Sequence, residues 1–102
     1  MTGDVTSSPL HRRVSLRAKA RRADKSSVRV HVFELWPEGC KAEFFDCTEL
    51  HEQLSIEFDN LEEIGASVRW IAATKAGLKF IEPLHPRIIN VLLARGGDLT
   101  AH

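Results

Sequence analysis

Val28-Arg29-Val30-His31-Val32-Phe33-Glu34-Leu35-Trp36-Pro37-Glu38-Gly39-Cys40-Lys41-Ala42-Glu43-Phe44-Phe45 decides how this chain folds. Two runs within it, residues 28–33 and 40–45, alternate apolar and polar side chains. A period of two is that of a half-buried strand. Val28, Val30 and Val32 face one way, with Arg29 and His31 opposite; Cys40, Ala42 and Phe44 face inward on the second run, with Lys41 and Glu43 out. Between them, Pro37 presets φ for a turn and Gly39 can take a positive φ cheaply. The stretch therefore reads as two antiparallel strands joined by a tight connection. Such loops sit on rigid scaffolds and often carry function, so the same turn is a candidate ligand loop.

Working outward, residues 14–22 alternate as well. Val14, Leu16, Ala18 and Ala20 share one face; Ser15, Arg17, Lys19 and Arg21 share the other. Ala, Arg and Lys are good helix formers, but the strict alternation favours a strand. Downstream, a polar connection over residues 46–52 reads as a helical turn capped by Asp46 or Thr48. Leu54, Ile56 and Phe58 make a fourth strand, and Ala66, Val68, Trp70 and Ala72 the inward face of a fifth. Lys75-Ala76-Gly77 reads as a hairpin turn before Leu78 and Phe80. His85-Pro86 opens a helix, since proline's missing N–H costs nothing in the first turn. Ile88, Ile89, Leu92 and Leu93 give it an apolar stripe, and Gly96-Gly97 ends it. The predicted architecture is all-β: a six-stranded antiparallel barrel with one C-terminal α-helix. Its expected core is Val14, Leu16, Val30, Val32, Ala42, Phe44, Leu54, Ile56, Val68, Trp70, Leu78, Phe80, Ile89 and Leu93. Residues 1–10 are expected to be a flexible tail, residues 11–95 the domain, and residues 96–102 a frayed end.

The length of 102 residues suits one domain with a modest core. No apolar run is long enough to span a bilayer and no signal-peptide core is present, so a cytoplasmic location is expected. Cys40 and Cys47 read as free thiols; with His51 they lack the close pair and fourth ligand of a zinc site, and no metal or cofactor is expected. No nucleophile elbow, P-loop or paired-histidine motif is present, so no catalytic residues are assigned and the chain is not read as an enzyme. Fourteen basic residues balance fourteen acidic ones, but unevenly. Residues 11–29 hold eight basic residues and one acid, whereas over residues 34–63 Lys41 stands alone against ten acids. Either the basic segment meets an anion, or the two halves neutralise each other across adjacent strands. A long nucleic acid fits poorly, because the basic segment has no interleaved aromatic residue and the acidic middle would repel a polyanion.

The order of elements resembles that of the PilZ family, over residues 12–94. Glu34-Leu35-Trp36-Pro37-Glu38-Gly39 resembles its glycine loop, [D/N]-x-S-x-x-G, with Glu34 for the acid or amide, Trp36 for the serine and Gly39 matching. Val68-Arg69-Trp70 resembles its V-x-W segment, and Gly77-Leu78-Lys79-Phe80 its G-[V/I/L]-x-F strand. Pro83-Leu84-His85-Pro86 is similar to the approach to its closing helix. The resemblance implies a six-stranded barrel followed by a helix, and binding of the bacterial second messenger cyclic di-GMP through R-x-x-x-R and the glycine loop. Arg17 and Arg21 match that spacing literally, but inside the first strand; counting back from the loop puts Arg12 or Arg13 at the second arginine and Ser8 or Pro9 at the first. The implied ligand residues are Arg12, Arg13, Glu34, Trp36 and Gly39. The alternative is a degenerate PilZ module that does not bind the nucleotide and uses Trp36 as an anchor for a protein partner.

Overall fold

The computed structural model describes residues 11–59 and 61–96; the expected tail at 1–10 and the end beyond Gly96 lie outside them. Six strands and one helix come in order: β1 Arg12–Arg22, β2 Ser27–Trp36, β3 Gly39–Phe44, β4 Gln53–Phe58, β5 Ile64–Ala72, β6 Lys75–Phe80 and α1 Pro86–Gly96. They close as an antiparallel barrel in the order β1-β2-β3-β6-β5-β4. Strict alternation puts Val14, Leu16, Ala18 and Ala20 inside and leaves Arg13, Ser15, Arg17 and Lys19 exposed. Ala18 lies opposite Val30 on one side and Phe58 on the other, and Ala20 lies between Val28 and Ile56. Small residues on β1 thus make room for large ones on its neighbours, as a narrow barrel interior requires.

Most of the expected core is buried, and Leu35, Cys40, Phe58, Ala66, Ala76 and Leu84 join it. Burial pushes the Cys40 thiol up to about 12, so it packs as an inert apolar group. Trp70 is a correction: it is 39% exposed. The register of β5 on β6 shifts between Val68 and Trp70, so Val68 faces Leu78 and Trp70 faces Gly77. One extra residue in a strand turns the side chains beyond it to the opposite face. A shift on β2 between Val32 and Glu34 does the same, turning Leu35 inward and fully burying it.

Three local expectations also change. The β5–β6 turn is Ala73-Thr74, with Ala73 at φ 58°, and Lys75-Ala76-Gly77 lies within β6. Gly77 is needed there because Trp70 lies over it, where any Cβ would collide with the indole. Residues 46–52 form bends and a turn rather than a helix. The Asp46 carboxylate accepts the Cys47 N–H, and Glu52 accepts both the Thr48 hydroxyl and the Glu49 N–H, so these side chains tie down a loop. Gly39 belongs to β3 and not to a left-handed turn position; the turn itself is Pro37-Glu38.

The Pro37 and Glu38 carbonyls accept the Leu84 and Phe80 N–H groups at 2.7 and 2.8 Å, so the end of β6 and the segment after it fix this turn. His85 then opens α1: its Nδ1 accepts the Arg87 N–H, and its carbonyl the Ile88 and Ile89 N–H groups. These bonds satisfy donors that a helix start leaves orphaned. The helix lies against β1. Leu92 is its fully buried residue, while Ile89 and Leu93 are only half-buried. Leu92→Ala should therefore cost roughly 2–5 kcal/mol in urea-induced unfolding. A loss below about 1 kcal/mol would show that the helix does not close the core.

Candidate ligand-binding rim

The β1–β2 pairing places Arg12 opposite Leu35 and Arg13 opposite Glu34. On β3, Lys41 lies opposite Glu34 and Gly39 opposite Trp36. All five expected ligand residues thus share one rim of the barrel, although more than twenty positions of sequence separate the arginines from the loop. The register shifts lie beside it, between Arg13 and Leu16 on β1 and between Val32 and Glu34 on β2. Bulges at barrel rims re-aim side chains; here they leave Arg13 exposed and Glu34 only partly covered.

Glu34 is the centre of the charge arrangement. Its Oε2 accepts from His11 Nδ1–H at 3.0 Å, and its Oε1 meets Lys41 Nζ at 3.1 Å. Burial alone would raise its pKa; the hydrogen bonds and charges of His11 and Lys41 outweigh burial and hold it below the ordinary carboxylate value. A carboxylate has about four lone-pair positions, so each oxygen can accept one more donor. The His11 ring also stacks on Trp36, with centroids 4.2 Å apart and planes within 8°. His11 thus holds both the acid and the aromatic of the rim. Sequence reasoning assigns it no role, and no local signal could do so: the contacts cross between strands.

Trp36 is half-buried and lies along its own hairpin. A Cβ on Gly39 would meet the Leu78 carbonyl oxygen and lie 3.0 Å from the indole. Gly39 is thus required for close approach of ring and backbone, the role glycine has where a ligand or ring must come near the chain. Trp70 covers Gly77 in the same way on the neighbouring strand. Between the two indoles is a recess of about 210 Å³, bordered by Glu38, Arg69 and Lys79. Trp70, Arg69 and Lys79 are not among the expected site residues; Arg69 and Lys79 point outward by simple alternation, and the bulge that brings Trp70 out beside them leaves no mark on the sequence pattern.

The rim offers arginine donors, a polarised acceptor and an indole with a neighbouring imidazole, which suits a planar, hydrogen-bonding, anionic ligand. A separate recess of about 490 Å³ lies between Leu61, Ile64, Ile81 and Ile88 and holds none of these residues. Cys40 is inside the barrel while Cys47 and His51 are exposed, so the three do not converge. Among the described residues no group of three or more His, Cys, Asp or Glu could hold a metal ion, and no helix is long and apolar enough to cross a membrane. Neither a family model nor a curated protein matches the chain.

The depressed pKa of Glu34 couples the rim to pH. Its stabilisation is complete above the unfolded carboxylate value, about 4.3, and is lost as pH falls through the lower folded value. Wild type should therefore exceed Glu34→Gln in unfolding free energy at neutral pH, and the gap should shrink as the medium is acidified below that range. A gap that stays constant in denaturant titrations across acidic pH would show that the carboxylate's charge contributes nothing.

Proposed function

We propose that this chain is a non-catalytic, cytoplasmic PilZ-type domain in bacterial second-messenger signalling, with cyclic di-GMP as its ligand. The observation that supports it is the convergence of Arg12 and Arg13 with Glu34, Trp36 and Gly39 on one rim, set by the β1–β2 and β2–β3 registers. Arginine's planar fork holds a phosphate, or the O6/N7 edge of guanine, bidentately and stacks on a base. Glu34 has lone pairs left for the guanine amino edge after His11 and Lys41 are served. The indole of Trp36, already stacked by the His11 ring, provides an aromatic surface beside which a purine stacks while His11 keeps its bond to Glu34. The family serine is replaced by Trp36 and one motif arginine is missing. Loss of one charge-assisted hydrogen bond costs about 1.5–3 kcal/mol, or roughly one to two decades of affinity, so binding is weakened relative to the full motif.

The protein-adaptor reading draws on the recess between Trp36 and Trp70. An exposed indole beside Arg69 and Lys79 has the composition of an interface anchor. A titration of the purified chain with cyclic di-GMP, followed by backbone amide NMR with GTP as control, separates the two. The receptor reading expects saturable shifts at Arg12, Arg13 and Gly39 with cyclic di-GMP only, and their loss in Arg12→Ala/Arg13→Ala. Absence of shifts at millimolar ligand would exclude the receptor and leave the adaptor.

A further inference from the structure

The basic segment has two fates in the fold. At one end of β1 it is neutralised: Arg21 Nη1 meets Glu63 at 3.1 Å and Nη2 meets Glu57 at 3.8 Å, while Arg22 Nε meets Glu52 at 3.1 Å. Along the middle of β1 and β2 it is not. Arg17, Lys19 and Arg29 have no ion pair among the described residues. The register sets Arg17 directly opposite His31, and Lys19 directly opposite Arg29. Like charges facing each other destabilise a strand pair; Lys19 against Arg29 is such a pair, and Arg17 beside it faces the polar His31 ring rather than an acid.

Two acids beside this face are drawn elsewhere, and Asp46, which borders Arg29, accepts the Cys47 N–H. Glu57, opposite Lys19 on β4, is drawn to Arg21. Glu43, opposite His31 on β3, accepts the Thr74 hydroxyl at 3.0 Å. Asp59 borders a recess of about 210 Å³ shared with Ser15, Arg17 and Arg95; only its backbone carbonyl takes the Arg95 guanidinium, so its carboxylate marks the acidic end of the cationic face. Ser15 and His31 share a hydrogen bond of 2.8 Å between them, adding polar atoms to the floor.

We propose that this face binds a soluble ligand carrying two or more phosphate groups, held by Arg17, Lys19, Arg29 and His31. Opposed residues of an antiparallel pair lie about 4.5–5.5 Å apart at Cα, and same-face neighbours along a strand about 6.6 Å apart. Three long cationic side chains at that spacing, with the His31 ring beside them, serve more than one phosphate, and the arginine forks grip phosphate bidentately. A lipid surface is the less fitting source. Membrane-binding faces combine basic with apolar side chains over a continuous surface, and of the exposed large apolar side chains among the described residues only Phe45 borders the strip, beside Arg29; none lies on β1 or β2. The strip uses none of the rim residues, so it stands or falls apart from the reading of the rim.

The test is calorimetric titration of the full chain with sodium tripolyphosphate at low ionic strength, with amide NMR to place the site. Saturable binding is expected, with shifts at Arg17, Lys19, Arg29 and His31 and weakening as salt screens the charges. Arg17→Glu/Lys19→Glu should bind roughly tenfold more weakly or worse, whereas Trp36→Ala should bind as wild type does. Circular dichroism checks the double variant's fold, and Arg29→Gln provides a milder second reading in the same direction. No saturable binding at millimolar tripolyphosphate, shifts centred elsewhere, or equal binding by the variants overturns the proposal. So does capture by phosphatidylglycerol vesicles that tripolyphosphate does not compete.

Discussion

The structure depends on β1 being hydrogen-bonded on both sides. Its eleven residues pair with β2 along most of their length and with β4 from Ala18 to Arg22. Closing the sheet this way removes the edges that an open six-stranded sheet would present. It also fixes the interior size, which is why Ala18 and Ala20 face the core beside Val30, Ile56 and Phe58. Larger residues at these two positions would push apart both neighbours at once, since a packed interior yields little. The helix completes the core at Leu92, lying against the same strand.

The double pairing of β1 also distributes charge. Where β1 meets β4, the acidic half of the chain reaches the basic half, and Arg21 finds its carboxylates. Where β1 meets β2, basic meets basic, because both strands come from the same cation-rich segment. Neutralisation between the two halves of the chain therefore describes one end of this strand and not its middle. Exposed ion pairs contribute little individually, so the neutralised end is no great source of stability. Its effect is to leave the remaining cations gathered on one face.

The candidate rim lies where the regular pattern of this scaffold breaks. Bulges on β1 and β2 frame the rim that carries Glu34, and a bulge on β5 brings Trp70 out over Gly77. The two tryptophans lie over glycines on adjacent strands, so flat backbone replaces side chains beneath the rings. The Pro37-Glu38 turn is held by backbone bonds from Phe80 and Leu84, which ties the rim to the far end of the chain and gives it a rigid base.

The elements themselves are written locally in the chain. Period-two alternation locates all six strands and most of the core, because the inward face of a barrel excludes polar side chains over its whole length. His85-Pro86 and the stripe through Leu92 locate the helix, because capping and amphipathic spacing are local. The connection at Pro37-Glu38 is legible too, and the expectation built around it names Arg12, Arg13, Glu34, Trp36 and Gly39. Which residues those five meet is a matter of strand register, and it is fixed only when the barrel closes. His11 reaches Glu34 and Trp36 across a strand pair, and nothing local encodes that register. Extending the alternation through Arg69 puts Trp70 in the core; a bulge is one residue of pairing, not of composition, so it is invisible until the partner strand is known. The turn at Ala73-Thr74 shows the same limit. Gly77 reads as the turn residue because glycine bends easily, but it is held in a strand by the indole above it, a contact that exists only once β5 and β6 are side by side.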